Sequence, residues 1–203
     1  EVDFYRKIIY LVNKPCQNQI LQDVISTDSP FTNLIRDIFG NDNVANIRFS
    51  NGALSGNAAV STSPEFYGTS ESYIISIKFD NDYLDNATNL SIAASVLHEL
   101  VHAHLMYLFL NNQLVAQNSS YQSLMDAFLN FYKDRDEMTF NELDDEMHNA
   151  MSDYIQKMAN SIYNYAQSNN IPNVSVDYCV ALAWSTMQGY DLFNDVLTNQ
   201  QQQ

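Results

Sequence analysis

Basic residues are scarce in this chain, which has 9 Lys and Arg against 24 Asp and Glu and a formal net charge of −15. Proteins that bind nucleic acid need clustered Lys and Arg to contact phosphates, so we expect no nucleic acid partner. The same shortage disfavours anionic membrane surfaces. The acidic balance indicates a well-solvated surface, and a mild preference for cationic substrates is the alternative interpretation.

Cysteine is also scarce, because Cys16 and Cys179 are the only two in 203 residues. They do not form a C-x-x-C pair, which excludes a metal site built from cysteines. One disulfide joining the two ends of the chain and two buried free thiols are the alternatives. The chain is 46% hydrophobic and rich in Tyr and Phe, so it can bury the core of a globular protein.

Long uninterrupted apolar runs are missing, since His and Glu interrupt the longest one, and we expect no membrane insertion. No signal peptide is visible, and the chain begins at Glu1 without Met, which indicates a fragment of a longer precursor. We expect residues 1–203 to form a single domain. The polar residues 198–203 are expected to be a disordered tail.

The hydrophobic pattern predicts an α+β protein, with a small N-terminal sheet accompanied by helices and then a mostly helical C-terminal half. A loop is expected at residues 64–72 and a turn at residues 80–85. The predicted strands are residues 45–50, 57–62 and 73–79. The predicted helices are residues 17–26, 31–39, 88–111, 121–133, 140–167, 176–188 and 191–197.

One stretch carries a specific chemical pattern, the H-E-x-x-H sequence His98-Glu99-Leu100-Val101-His102. Residues four apart on a helix lie above one another, so both imidazoles can reach one metal ion. Glu99 follows the first histidine, where its carboxylate can take a proton from a zinc-bound water. The pattern predicts a Zn2+ site with Glu99 as the catalytic base. The alternative is a pair of core histidines with a paired glutamate.

A catalytic zinc ion needs a third protein ligand and one open position. His148 is the first candidate because it shares a helix face with Met151 and Ile155, which points it inward. Glu146 is the next candidate, and Asp145 is a weaker one. The alternative for His148 is a core histidine whose hydrogen bonds are satisfied within the protein.

Further side chains are candidates for supporting roles. His104 lies only two residues after the motif, so it faces another side of the helix and is expected to be a surface or core-edge residue. Asp153 is a candidate to orient a ligating histidine, with a surface position as the alternative. Tyr154 is a candidate to stabilise the oxyanion. The strand at residues 73–79 is expected to line the cleft and to pair with an extended substrate.

These residues resemble the zincin superfamily of metallopeptidases, and most of all the SprT-like or zincin-like metallopeptidase domains of bacterial proteins. The resemblance is carried by the H-E-x-x-H-A sequence that starts at His98, by the strand at residues 73–79 and by the later helix with His148. It implies a zincin-like fold, zinc and hydrolysis of peptide bonds. By the same resemblance, His98, His102 and His148 are ligands and Glu99 is the base.

Our first functional hypothesis is a monomeric zinc metalloendopeptidase that acts on a protein or peptide substrate. The alternative is a catalytically degenerate zincin-fold domain that binds a protein partner. A weaker third hypothesis is a metal-dependent hydrolase of a non-peptide amide. The bacterial resemblance and the precursor fragment favour a secreted or cell-surface location over a cytoplasmic one.

Overall fold

The computed structural model describes residues 11–41, 45–54, 60–66, 73–111, 123–124, 126–127 and 140–188. These residues form a mostly helical arrangement with a small sheet, which confirms the α+β prediction at this coarse level. In chain order the elements are α1 (Pro15–Ser26), α2 (Pro30–Asn41), β1 (Ala45–Gly52), β2 (Val60–Phe66), β3 (Tyr73–Asp80), α3 (Asn81–Asn86), α4 (Asn89–Leu110), α5 (Phe140–Met151), a 3-10 turn (Ser152–Tyr154), α6 (Ile155–Ser168) and α7 (Val176–Ser185).

The three strands form one mixed sheet in the order β1-β3-β2, with β1 parallel and β2 antiparallel to β3. In β3, Ile75, Ile77 and Phe79 recur with period two and are fully buried. Phe79 stacks on Phe49 of β1, with ring centroids 6.3 Å apart. The β-branched and aromatic side chains of these two strands therefore supply the sheet's share of the core.

The central position of β3 corrects one expectation. Both of its edges are hydrogen-bonded to neighbouring strands, so this strand has no edge left to pair with a substrate. The predicted strand at 57–62 is displaced, since β2 runs from Val60 through Pro64 to Phe66. A proline cannot donate to a ladder and is tolerated on an edge strand, which is where β2 lies among the described strands.

Helix α4 lies at the centre of the fold. The side chain of Thr88 caps its N-terminus by accepting a hydrogen bond from the Ser91 amide at 3.2 Å. Every residue from Ile92 to Met106 except Ser95 is buried, because α4 packs against α1, α5, α6, α7 and β2. By length and composition it could cross a membrane, but it is mostly buried inside the described fold, as a core helix would be.

The long helix predicted at residues 140–167 is broken. Helix α5 ends at Met151, the 3-10 turn follows, and α6 begins at Ile155. The hydroxyl of Ser152 donates to the carbonyl of Asn149 at 2.8 Å, a local bond of the kind that competes with regular helix. No Gly or Pro marks the break, so the apolar periodicity continues across it. As a result α5 and α6 are separate elements, and α5 contacts α4 through its own face.

The remaining predictions have different outcomes. The helices at 17–26 and 31–39 are confirmed as α1 and α2. The turn predicted at 80–85 is wrong, because Asp80 caps the short helix α3 by accepting from the Asp82 amide at 2.8 Å. Both cysteines are free thiols, but only Cys179 is buried as expected, because Cys16 is exposed. Outside the described residues lie most of the predicted loop and of the helix at 121–133, the helix at 191–197 and the tail at 198–203.

Candidate metal centre

Three buried histidines lie together between α4 and α5. His98 and His102 occupy successive turns of α4, and their Nε2 atoms are 3.1 Å apart. The Nε2 atom of His148, on α5, is 3.3 Å from that of His98. One ligand atom from each residue fits within a span of 4.8 Å. The structure therefore brings together the three histidines that the sequence predicted, close enough for them to hold one metal ion.

The ring of His98 is anchored from α7. Its Nδ1 atom is 3.0 Å from the hydroxyl oxygen of Thr186. That hydroxyl donates its own proton to the carbonyl of Ala183 at 2.7 Å, so toward the imidazole it can only accept. His98 therefore carries its proton on Nδ1, and its Nε2 atom keeps a lone pair that faces the other two rings.

The ring of His148 is anchored within α5. Its Nδ1 atom is 2.6 Å from the carbonyl oxygen of Asp144, four residues earlier, and 3.5 Å from a carboxylate oxygen of the same residue. A carbonyl accepts and never donates, so His148 is also protonated on Nδ1. Its Nε2 lone pair points toward His98. Histidine ligands of metals are commonly held in this way through their other ring nitrogen.

All three rings are kept neutral by their surroundings. Burial and, to a smaller extent, the neighbouring His148 lower the pKa of His98 to about 3. Burial, followed by His98 and His148, holds the pKa of His102 well below its usual range. Burial also lowers the pKa of His148, although Asp144 opposes this shift. At neutral pH the cluster offers lone pairs to a cation and carries no positive charge of its own.

This donor set fits a tetrahedral metal ion. The Nε2 lone pairs of His98 and His148 face each other at 3.3 Å, an arrangement that is unfavourable unless a cation lies between them. Nitrogen atoms that lie about 2.0–2.1 Å from a tetrahedral zinc ion are about 3.3 Å from one another. The separations of His98 Nε2 from the other two Nε2 atoms, 3.1 Å and 3.3 Å, are close to that value, and the three ligand atoms together lie within 4.8 Å.

Glu99 lies beside the first histidine and is buried at 7% exposure. Thr62 of β2 donates a hydrogen bond to its Oε2 atom, so the edge strand holds this carboxylate. The pKa of Glu99 is raised to about 7, mainly by burial, with a smaller lowering effect of the Thr62 bond and a smaller raising effect of Asp144. A carboxyl group with a pKa near neutrality can both take up and release a proton, as a general base and acid must.

The other predicted site residues lie elsewhere. His104 is buried at 6% exposure, deeper than expected, and packs edge-on against Tyr154 with ring centroids 5.7 Å apart. The Tyr154 ring also packs against Phe31, so its role in stabilising an oxyanion stays a prediction. Asp153 is exposed, and the Nδ1 atoms of His98 and His148 have other partners. Glu146 and Asp145 are not part of the metal-binding group that the described residues form.

The sequence interpretation missed three residues that hydrogen-bond the side chains of the site. Thr62 and Thr186 reach the site from distant parts of the chain, and no local pattern marks either of them. Asp144 is different, because it precedes His148 by four residues on the same helix. That spacing could have identified it as an orienting residue, since positions i and i+4 are neighbours on a helix.

The histidine cluster makes the stability of the metal-free protein dependent on pH. The pKa values of His98 and His104 fall to about 3 and about 4 on folding, from an ordinary value near 6.5. Between pH 6.5 and those values the unfolded chain binds protons that the folded chain does not, so stability decreases as the pH falls. Glu99 has the opposite effect on stability between pH 4.5 and 7. It is a single group, however, whereas the pKa values of four histidines are lowered.

We therefore expect the free energy of unfolding of the chelator-treated protein to be lower at pH 5 than at pH 7. Urea unfolding at a series of pH values measures it. Saturating zinc should not remove this dependence, because zinc-bound histidines are also unprotonated in the folded state and take up protons on unfolding. A metal-free protein that is as stable at pH 5 as at pH 7 would contradict the buried, neutral state of the cluster.

Comparisons with protein-family models, with curated proteins and with solved structures found no match for this chain. The zincin resemblance therefore rests on the motif and on the histidine cluster alone, and membership of that superfamily stays a prediction.

Proposed function

We propose that this chain is a zinc-dependent peptide-bond hydrolase in which His98, His102 and His148 hold the metal and Glu99 is the general base. The observation that carries the proposal is the convergence of three neutral, buried imidazole nitrogens next to a buried glutamate. A structural zinc site would use four protein ligands, whereas a catalytic site uses three and keeps one position open. Three ligand residues in the described cluster favour the catalytic kind.

When bound, zinc would supply Lewis acidity that polarises a carbonyl and promotes ionisation of water. The protein's own contribution is to fix the ligands and to move protons. His98 and His148 are held through their Nδ1 atoms, which aims both Nε2 atoms inward. Glu99 takes a proton from the attacking water and then passes it to the leaving amine.

The edge strand β2 favours an extended peptide as the substrate. It contacts α4, and its residue Thr62 bonds the catalytic carboxylate directly. Among the described strands, β2 pairs on only one side, so its other edge can bond the backbone of an added strand. A substrate bound in this way would run past Glu99. The sequence predicted that the substrate pairs with the strand at residues 73–79, whereas the sheet order favours β2.

The test is zinc-dependent cleavage of an unstructured protein. Purified protein is stripped with a chelator, its zinc content is measured before and after reconstitution, and casein is the substrate. We expect one zinc ion per chain. We also expect casein cleavage, which chelation abolishes and added zinc restores. A chain that takes up no zinc would overturn the proposal. A zinc-loaded chain that cleaves neither casein nor a mixed peptide library would instead favour the partner-binding domain.

A further inference from the structure

The C-terminal helix α7 reaches the metal centre through a single hydroxyl. Thr186 follows the last residue of α7 and places its Oγ1 atom 3.0 Å from Nδ1 of His98, 88 residues earlier in the chain. The His98 ring is buried, at 7% exposure, so this contact lies inside the protein. Among the described contacts it is the one that links α7 to a ligand histidine.

The sequence of α7 explains why Thr186 faces inward. Cys179, Ala183 and Met187 recur every four residues and are fully buried, so they form the face that packs on α4 and α6. Thr186 lies one position before Met187 and three after Ala183, at the border of that face. Its neighbour Ser185 is exposed and points away from the core.

The hydroxyl of Thr186 has a fixed role in the hydrogen bond. It donates to the Ala183 carbonyl at 2.7 Å, which uses its single proton. It can therefore bond His98 only by accepting the Nδ1 proton. The opposite tautomer, with the proton on Nε2, would require the Thr186 hydroxyl to turn from the Ala183 carbonyl toward Nδ1, and it would place a proton where a metal must bind.

We propose that Thr186 is a positioning residue that holds His98 as the Nδ1–H tautomer. Zinc affinity would therefore depend on how α7 packs against α4. The inference rests on the metal site of the proposed function, but not on the reaction that the site catalyses. It assigns to the last described helix a role in metal binding that the motif on α4 does not reveal.

The first test measures zinc affinity by competition with a chromophoric chelator. Thr186→Val keeps the shape of the side chain but removes the acceptor, and loss of such a partner typically weakens metal binding about 10–100-fold. Thr186→Ser keeps the hydroxyl and should bind zinc within about threefold of the unsubstituted protein. Ser185→Ala is the matched control, since Ser185 makes the same type of bond, to the Leu182 carbonyl at 2.7 Å, without contacting a histidine.

The second test reads the tautomer directly in the metal-free protein. Two-bond proton–nitrogen correlation spectra distinguish a protonated Nδ1 from a protonated Nε2 in each histidine ring. We expect His98 to be protonated on Nδ1 in the unsubstituted protein and in Thr186→Ser, and to lose that preference in Thr186→Val. This measurement needs no zinc and no substrate, so it still decides the inference if the protein proves to have no peptidase activity.

Each result of these two tests either supports the inference or counts against it. Unchanged zinc affinity in a folded Thr186→Val protein would overturn the inference, and so would a metal-free His98 protonated on Nε2. If Thr186→Val does not fold, Thr186→Ser and the spectrum of the unsubstituted protein decide instead. Equal weakening by Ser185→Ala would show a general effect of this helix end, which also counts against a specific role of Thr186.

Discussion

Replacing Glu99 with Gln is expected to lower casein cleavage by about 10²–10⁴-fold while zinc affinity stays unchanged. The amide has nearly the shape of the carboxylate and can still accept the hydrogen bond from Thr62. It cannot take a proton from water, however, so the reaction loses its base. Because Glu99 is not a member of the histidine cluster, the metal should remain bound. Cleavage rates at saturating zinc and zinc content per chain are the two measurements.

Glu146→Gln provides the matched control for this substitution. It removes the same charge from a half-buried position on α5, next to the cluster but outside it. We expect near-normal cleavage and near-normal zinc content in this variant. Glu99→Gln with full activity would remove Glu99 from the catalytic role. Loss of zinc in Glu146→Gln would instead assign Glu146 as a ligand.

Replacing His148 with Ala is expected to weaken zinc binding by more than ~100-fold, beyond the effect typical of an outer hydrogen-bond partner. His148 is the single ligand that α5 contributes, so in its absence only the two histidines of α4 remain. In the proposed site, zinc would join these two helices and stabilise the folded state by mass action. We therefore expect zinc to raise the Tm of the unsubstituted protein and to leave the Tm of His148→Ala nearly unchanged.

His104→Gln controls for the loss of a buried imidazole. His104 lies on the same helix as the motif, but its ring packs against Tyr154 and outside the cluster. This variant should keep its zinc affinity and its zinc-dependent rise in Tm. If zinc raises the Tm of His148→Ala as much as that of the unsubstituted protein, the third ligand has been assigned wrongly.

The histidine cluster was predictable because helical spacing determines the directions of its members. His98 and His102 are four residues apart on a helix that is apolar on nearly all sides, as expected of a core helix. His148 followed from the same logic, since its helix face is shared with Met151, which is fully buried. Local periodicity is informative here because each of these residues is placed by the helix that carries it.

The edge strand was harder to predict because its sequence has little strand character. Between Val60 and Phe66 the residues are Ser, Thr, Ser, Pro and Glu, without apolar alternation. Its pairing with β3 makes it a strand, and that pairing is a tertiary effect. The same holds for the contacts of Thr62 and Thr186, which depend on how distant elements pack and leave no trace in local sequence.

X-ray absorption at the zinc edge of the reconstituted protein tests the central claim most directly. The arrangement of His98, His102 and His148 predicts three imidazole nitrogens at about 2.0–2.1 Å from the metal, with a light-atom ligand in the fourth position. The signal of one of these nitrogens should disappear in His148→Ala. A spectrum without three imidazole ligands, or a folded protein that binds no zinc, would contradict the metal centre on which the proposed function depends.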